Sequence, residues 1–117
     1  MSDEKRTTVT QFLKQFKQIA RVRGIDVIPR RINKINLISL GITERIRETI
    51  ILSLIPEDFC KGPEPDRDRP GDLWFFGKTE NGDEIYIKLK IADANGTDIA
   101  KCLSFHQAEH KLKYFNY

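Results

Sequence analysis

The sequence is poor in the residues that build cross-linked or metal-held proteins. It has two cysteines in 117 residues, Cys60 and Cys102, and they show no metal-type spacing. Such a chain cannot form the dense disulfide framework of a small secreted domain. We therefore expect both cysteines to be reduced thiols in a reducing compartment.

Long apolar runs are also missing. No run of apolar residues is long enough to span a membrane, and the first residues, Met1–Arg6, are polar and lack the apolar core of a secretory signal. Internal repeats and low-complexity tracts are absent as well. These absences predict a cytoplasmic protein with no membrane partner. At 117 residues the chain is expected to form one domain, residues 1–117, around one core.

Charge is plentiful but nearly balanced. Charged residues make up 32% of the chain and hydrophobic residues 39%, and the formal net charge is +3. The hydrophobic fraction is low but sufficient for a folded domain. A small positive excess fits a nucleic-acid binder without distinguishing one from other soluble proteins.

The clearest pattern runs from Asp72 to His106 and predicts an antiparallel sheet. Two Asn-Gly pairs, the strongest sequence signal for a two-residue hairpin turn, divide the segment. Between and around them lie three runs rich in apolar, β-branched and aromatic residues. The predicted strands and turns are Leu73–Lys78, the turn at Asn81-Gly82, Ile85–Ile91, the turn at Asn95-Gly96, and Ile99–Phe105.

The middle predicted strand alternates strictly between apolar and polar residues. Alternate side chains of a strand point to opposite faces of the sheet. One face therefore carries Ile85, Ile87, Leu89 and Ile91, and the other carries Tyr86, Lys88 and Lys90. A face with a phenol and two amines suits an anionic ligand. An ordinary solvent-facing strand remains the alternative.

The N-terminal half has the spacing of helices. Apolar residues of the first helix form a single stripe along one side, and threonine and glycine residues mark the helix ends. The expected elements are a flexible N-terminus over residues 1–7, a helix from Thr8 (capped by Thr8 or Thr10) to Arg23 and closed by Gly24, an edge strand at Ile25–Pro29, a helix Ile32–Leu40 stopped by Gly41, and a helix Glu44–Leu54 capped by Thr43, with Ile46, Ile50, Ile51 and Leu54 inward.

Two further segments complete the predicted architecture. Glu57–Gly71 contains three prolines and two glycines, so we expect a long irregular loop. Residues 107–117 form a basic and aromatic tail, which we expect to lie over one end of the sheet. The fold class is α+β, with N-terminal helices packed on one face of a small antiparallel sheet and the other face open.

Hairpin geometry predicts which side chains meet on the open face. A two-residue turn at Asn81-Gly82 places Gly77 opposite Tyr86 and Phe75 opposite Lys88. Glycine there would leave room for a backbone phosphate, and Phe75 could stack on a base. A bulge or a twist site is the alternative role for Gly77.

The second hairpin needs an irregularity. A two-residue Asn95-Gly96 turn with regular pairing would put Leu103 and Phe105 on the open face beside Tyr86. We therefore expect a bulge or an odd-length loop between Ala92 and Asp98, which would flip the following strand. Leu103 and Phe105 would then be buried, and His106 would lie beside Tyr86.

Several short segments, in order and spacing, resemble the MqsR family of bacterial toxins, which belong to type II toxin–antitoxin pairs of the RelE-like ribonuclease superfamily. The resemblance covers most of the chain, from about Phe12 to His106. It is closest to a branch that carries Gly62–Asp66 and Phe76–Lys78. The segments that carry it are Leu40-Gly41-Ile42, Glu57–Lys61, Trp74, Ile85–Lys88 and Leu103–His106.

This resemblance implies a RelE-like fold and a cytoplasmic endoribonuclease, an mRNA interferase, that is neutralised by a cognate antitoxin. Lys61 and Tyr86 match active-site positions of the family. A family glutamine is replaced by Phe75, so its role is either missing or taken over, with Lys78 as the candidate. A family lysine is replaced by His106, and histidine is the better proton shuttle near neutral pH.

The expected chemistry is metal-independent attack of the RNA 2′-hydroxyl. Lysines supply positive charge to the phosphorane, and histidine or tyrosine moves protons. The predicted catalytic residues are Lys61, Tyr86 and His106, and the predicted substrate-binding residues are Lys88, Lys78, Phe75 and Gly77.

The spacing of His106 and His110 also permits a metal site, for which Glu109 or Cys60 would have to supply the third ligand. We expect neither a metal nor a cofactor. The partners expected are messenger RNA and the antitoxin, and a homodimer remains open. The alternative function is a non-catalytic RNA-binding or protein-interaction module on the same fold.

Overall fold

A computed structural model describes residues 3–29 and 31–117 and shows an α+β fold. Met1 and Ser2, at the start of the segment predicted to be flexible, lie outside the described residues. The helices are α1 (Asp3–Arg23), α2 (Arg31–Leu40) and α3 (Glu44–Leu52), followed by one 3₁₀ turn (Pro56–Asp58). The strands are β1 (Asp26–Val27), β2 (Phe59–Pro65), β3 (Asp72–Glu80), β4 (Asp83–Ala94) and β5 (Thr97–Gln107).

The five strands form one sheet in the order β1-β5-β4-β3-β2. Strands β3, β4 and β5 pair antiparallel, as predicted, and β2 adds an unpredicted antiparallel strand beside β3, whereas the short edge strand β1 pairs parallel to β5. The sheet is therefore mixed and not purely antiparallel. None of the described helices is long and apolar enough to cross a membrane.

Helix α1 covers one face of the sheet with the predicted apolar stripe. The Phe12 ring stacks on Trp74, with 4.3 Å between ring centroids and an interplanar angle of 12°. Phe16 is completely buried in the same cluster. These contacts confirm that this face of the sheet carries the core. The buried residues of α1 are Val9, Phe12, Leu13, Phe16 and Ala20.

The helix begins earlier than its threonines suggested. Asp3 and Glu4 occupy its first turn, where negative charge favours the positive end of the helix dipole. The Thr8 and Thr10 hydroxyls instead donate to backbone carbonyls four residues back, at 2.9 and 2.7 Å. The prediction that either caps the helix is therefore wrong. Gly24 ends it as predicted, with φ of 79°.

Helix α3 starts at the predicted cap but turns one isoleucine outward. The Thr43 hydroxyl accepts from the Ile46 N–H at 3.1 Å. Ile46 itself is 43% exposed, so its predicted inward position is wrong. The inward stripe begins instead at the buried Arg47 and continues with Ile50, Ile51 and Leu54, at the helical spacing i, i+3, i+4, i+7.

The proline-containing segment after α3 includes the seven-residue strand β2, so the prediction of an irregular loop throughout Glu57–Gly71 is wrong. Strand β2 pairs with β3 at the edge of the sheet, where proline is tolerated because one side of the strand needs no ladder hydrogen bonds. Its pairing is irregular, with register shifts on both sides of Lys61.

The loop that follows β2 is fastened to the sheet by one ion pair. The Lys90 ammonium lies 2.7 Å from a carboxylate oxygen of Asp66, and both side chains are largely buried. The Asp66 N–H group also donates to the Gly71 carbonyl at 3.0 Å. Hydrogen bonding from Lys90 is the main reason that the pKa of Asp66 falls from 3.8 to about 2.

Both Asn-Gly pairs form two-residue turns. Asn81 and Gly82 have φ of 51° and 83°, and Asn95 and Gly96 have φ of 55° and 83°. Such positive values are those of the hairpin turns that Asn-Gly favours. The second turn is therefore regular, and the prediction of a bulge or odd-length loop between residues 92 and 98 is wrong.

The irregularity expected in the second hairpin is a bulge further along the chain, within β5. Lys88 pairs with Ser104, but the next residue of β4, Leu89, pairs with Cys102, so Leu103 is bulged out. Leu103 is only half-buried, against prediction. The predicted consequence is otherwise confirmed, because Phe105 is completely buried.

Candidate active site

A cavity of about 560 Å³ lies on the sheet face opposite α1. Strands β3, β4 and β5 supply Phe75, Tyr86 and His106 to its floor, and β2 supplies Cys60 and Lys61. Tail residues 108–113 form the remaining wall. The cavity therefore contains all three residues that the sequence predicted to be catalytic.

Strand pairing brings the aromatic groups together. Tyr86 pairs with His106 across β4 and β5, and their ring centroids are 5.2 Å apart. On the other side of β4, Gly77 faces Tyr86 and Phe75 faces Lys88, which confirms the predicted register. The Phe75 and Tyr86 ring centroids are 6.1 Å apart.

The lysines gather around the Phe75 ring. The Lys61 ammonium lies 4.6 Å from the ring centroid and the Lys88 ammonium 5.8 Å from it. Both distances are within the range of cation–π attraction. The ring is only 6% exposed, so a base could stack on it only by displacing covering side chains. In this structure Phe75 therefore contacts the Lys61 ammonium at the cavity, with Lys88 next to it.

The Lys61 ammonium remains accessible to a ligand. Its side chain is 60% exposed, and its nearest carboxylate oxygen, on Glu64, is 3.5 Å away. A pair this exposed is weak, commonly about 0–1 kcal/mol. An anion entering the cavity can therefore replace Glu64 as the partner of Lys61 at low cost.

The orientation of His106 identifies its basic nitrogen. Its Nδ1 lies 3.0 Å from the backbone carbonyl oxygen of Gln107. A carbonyl oxygen can only accept, so Nδ1 carries a hydrogen in this contact. In the neutral ring the lone pair is then on Nε2, which is the atom that can take a proton from a substrate.

The thiol of Cys60 is not suited to act as a nucleophile. Burial, followed by the nearby carboxylates of Glu84 and Asp58, raises its pKa to about 11. The reactive form of cysteine is the thiolate, which this environment disfavours. The cysteine therefore contributes to the shape of the cavity.

Three of the four predicted substrate-binding residues do not line the cavity: Lys88 lies next to the Phe75 ring, and the other two lie elsewhere. Lys78 is on the α1 side of β3, where its ammonium lies 3.0 Å from a carboxylate oxygen of Asp58. The space above Gly77 is filled, because a Cβ placed there would lie 2.5 Å from Leu112 Cδ1 and 2.7 Å from the Tyr114 hydroxyl oxygen. Neither residue lines the cavity.

Sequence reasoning placed the tail over one end of the sheet, as observed, but missed its contribution to the cavity. Glu109, His110, Lys111 and Lys113 all line the wall opposite the sheet. The aromatic residues at the end of the tail were the available signal that it packs on the domain. Which of its polar residues face the cavity depends on tertiary contacts that no local pattern encodes.

Glu84 is a second residue that the sequence did not single out. It lies two positions before Tyr86, and one carboxylate oxygen accepts from the Leu112 N–H at 2.8 Å. The other accepts from the Tyr114 hydroxyl at 3.0 Å. Burial, followed by this hydrogen bond to a carboxylate, raises the pKa of Tyr114 well above its usual value. The Tyr114 hydroxyl thus stays protonated and fastens the tail.

Taken together, the cavity combines a histidine with an available Nε2, a tyrosine hydroxyl and an excess of lysines, a set suited to a phosphate ester. Among residues 3–29 and 31–117, no group of three or more His, Cys, Asp or Glu side chains is arranged to hold a metal ion. Comparison of the chain with family models, curated proteins and solved structures finds no significant match.

Proposed function

We propose that the chain is an endoribonuclease of the MqsR type, with a RelE-like fold, that cleaves messenger RNA in the cytoplasm. The observation that supports this best is the meeting of Lys61, Tyr86 and His106 in one cavity. These residues come from three strands, and the resemblance implied an active-site role for the first two. A non-catalytic RNA-binding module does not require a proton-transfer pair beside a cation.

The reaction begins at the RNA 2′-hydroxyl. His106 Nε2 takes its proton, and the 2′-oxygen attacks the adjacent phosphorus. Positioned proton transfer of this kind typically contributes about a hundred- to ten-thousand-fold to a rate. The hydrogen bond from His106 Nδ1 to the Gln107 carbonyl supports this role because it fixes the tautomer that leaves Nε2 available.

The phosphorane carries extra negative charge, which Lys61 stabilises. Lys88 adds to the positive field from the other side of Phe75. Preorganised positive charge aimed at the developing negative charge stabilises the transition state. The lysines thus supply the charge that a divalent ion would otherwise provide.

Tyr86 completes the scheme. Its hydroxyl hydrogen-bonds to the phosphate and donates a proton as the bond to the 5′-oxygen breaks. The products are an upstream fragment that ends in a 2′,3′-cyclic phosphate and a downstream fragment that begins with a 5′-hydroxyl. Hydrolysis by a metal-bound water would instead leave a plain 3′-hydroxyl or 5′-phosphate.

The direct test is incubation of the purified protein with a long single-stranded RNA in EDTA, followed by analysis of the fragment ends. We expect cleavage to persist and to yield cyclic phosphate ends. Cleavage that stops in EDTA, or fragments with plain 3′-hydroxyl ends, would refute the metal-independent scheme.

Variants separate the roles of the three residues. We expect Lys61→Gln, Tyr86→Phe and His106→Ala each to lower kcat/KM by a hundredfold or more, on the order of general acid–base contributions. Lys14→Gln is the matched control, because Lys14 is exposed on α1 and lies outside the cavity. Full activity in His106→Ala would remove only the histidine from the mechanism.

The proposal includes a cognate antitoxin, which is implied by the resemblance. Expression of the chain alone should arrest the growth of a bacterial host, and co-expression of the antitoxin should restore it. The Tyr86→Phe variant provides the control for expression burden. Normal growth with abundant folded protein would favour the non-catalytic alternative.

A further inference from the structure

Residue 107 of the predicted tail belongs to β5, and the remaining residues, 108–117, lie across the sheet and are the tail from here on. Its first part is bound to β4: the Ala108 N–H donates to the Glu84 carbonyl at 2.8 Å, and the Leu112 N–H donates to the Glu84 carboxylate at 2.8 Å. The Tyr114 hydroxyl donates to the second oxygen of the same carboxylate at 3.0 Å. One glutamate therefore holds the tail at three points.

The second part of the tail is bound to β2 and α1. The Phe115 N–H donates to the Phe59 carbonyl at 2.8 Å, and the two rings lie 5.6 Å apart. The Tyr117 hydroxyl donates to the Pro56 carbonyl, also at 2.8 Å. The Lys5 ammonium lies 5.7 Å from the Phe115 ring centroid. Anchors at both ends give the segment between them a defined position.

The segment between these anchors carries cations. Lys111 and Lys113 are exposed and line the cavity, whereas Leu112 between them points toward Gly77. Glu109 is the one acidic residue among the tail residues that line the cavity, so lysine is in excess there. The carboxylate of Glu84 accepts two hydrogen bonds and is not aimed at a ligand in the cavity.

We propose that the tail is the second wall of a groove for single-stranded RNA, in which Lys111 and Lys113 contact the phosphates next to the scissile one. Two residues apart along the chain, their Cα atoms are separated by at most about 7 Å, so the two flexible side chains can reach neighbouring phosphates of an extended strand. The inference rests on the proposed ribonuclease function and names the contacts that hold its substrate.

RNA is favoured over an acidic protein segment by the floor of the groove. Tyr86 and His106 present aromatic rings beside the lysines, 5.2 Å apart. Rings combined with cations are typical of single-stranded nucleic-acid sites, because bases stack and phosphates pair with charge. Glu84 acts as a positioning residue, because it holds the tail so that Lys111 and Lys113 lie opposite these rings.

The test measures binding without cleavage. The probe is a fluorescein-labelled, fully 2′-O-methylated single-stranded RNA, which has no 2′-hydroxyl nucleophile. Its affinity is measured by fluorescence anisotropy between about 50 and about 200 mM salt. For single strands, each phosphate contact contributes about 0.7 to the slope of log affinity against log salt.

We expect the Lys111→Gln/Lys113→Gln double variant to reduce the magnitude of that slope by about 1.4, since two phosphate contacts are lost. The matched control is Lys14→Gln/Lys34→Gln, which removes two exposed helical lysines outside the cavity and should leave the slope unchanged. Glu84→Ala keeps both lysines but frees the tail, and we expect it to lower the slope although it removes a negative charge.

The proposal is overturned if the double variant keeps the full slope, if the control lowers it equally, or if Glu84→Ala leaves it unchanged. It is also overturned if a poly-glutamate peptide competes with the probe as well as unlabelled RNA does. Cleavage by the wild type with an unchanged slope in the double variant would leave the ribonuclease function standing. A reduced slope without any cleavage would support the groove and refute the nuclease.

Discussion

Gly77 lies beneath the tail, and its replacement by alanine tests whether the tail is seated on the sheet as described. A Cβ at this position would lie 2.5 Å from Leu112 Cδ1 and 2.7 Å from the Tyr114 hydroxyl oxygen. Both distances are far shorter than ordinary contacts, so atoms must move. Gly77 is not among the glycines with positive φ, and the expected effect of alanine is therefore steric.

The size of the effect follows from which atoms must move. Leu112 Cδ1 is the end of a flexible side chain, whereas the Tyr114 hydroxyl is held by Glu84 at 3.0 Å. Inserting extra atoms into a packed site usually costs about 1–3 kcal/mol. Because one of the two obstacles can rotate away, we expect Gly77→Ala to lower the free energy of unfolding by about 1–2 kcal/mol.

A thermodynamic cycle measured by urea unfolding isolates this contact. Leu112→Ala/Tyr114→Ala removes both obstructing atoms and also Tyr114 Cε1, which would lie 3.0 Å from the Cβ, and in that background Gly77→Ala should be nearly neutral. The interaction energy of the cycle is then about 1–2 kcal/mol, within the range found for residues in contact. An equal cost of Gly77→Ala in both backgrounds would show that the tail does not lie over Gly77.

Three further predictions concern the core and its ion pairs. Phe16→Ala should lower the free energy of unfolding by about 3–5 kcal/mol, and a loss below about 0.5 kcal/mol would contradict its core position. The pKa of Asp66 is lowered from 3.8 to about 2, so its ion pair with Lys90 should stabilise the fold above pH 3.8 and lose that effect toward pH 2. Asp66→Asn should remove that part of the pH dependence measured by urea unfolding. Lys78→Gln should cost about 1–2 kcal/mol through Asp58 but leave RNA cleavage intact.

The hairpins were the part of the fold most accessible to prediction. The turn signals are local, and the alternation of residues 85–91 identifies the buried face by itself. Two-residue turns then fix which residues lie opposite one another. For that reason the pairs of Gly77 with Tyr86 and Phe75 with Lys88 followed from sequence and are observed.

Other elements depend on tertiary contacts and were harder to predict. Strand β2 contains Pro63 and Pro65, which argue against a strand when the sequence is considered alone, but an edge position tolerates them. The first turn of α1 has little apolar character and is instead held by contacts such as the hydrogen bond from Lys5 to the Gly62 carbonyl at 2.6 Å. The helix propensities of residues in this turn do not indicate such a long-range contact.

The residues of the candidate site likewise differ in how far the sequence could predict their positions. The local alternation of β4 placed Tyr86 on the open face, but His106 lies beside it because of the bulge at Leu103, which the sequence prediction had put near the turn. Lys61 was expected from the family resemblance. The sequence prediction placed Lys78 on the wrong face. Alternate residues of β3 face opposite sides of the sheet, so Lys78 shares the side of Trp74 and not that of Phe75. The position of the tail beside the cavity could not be predicted from the sequence, because it depends on hydrogen bonds between Glu84 and residues 28 and 30 positions away.

The bulge at Leu103 connects the packing of the core to the position of the proposed base. Cys102 must face the core opposite Leu89, and Phe105 must face it opposite Ile87. An odd separation of three residues cannot put both on one face of a regular strand, because side chains alternate. With both turns limited to two residues, the extra residue has to be absorbed within β5, and His106 then necessarily emerges beside Tyr86. Burial of Phe105 therefore sets the geometry of the Tyr86–His106 pair.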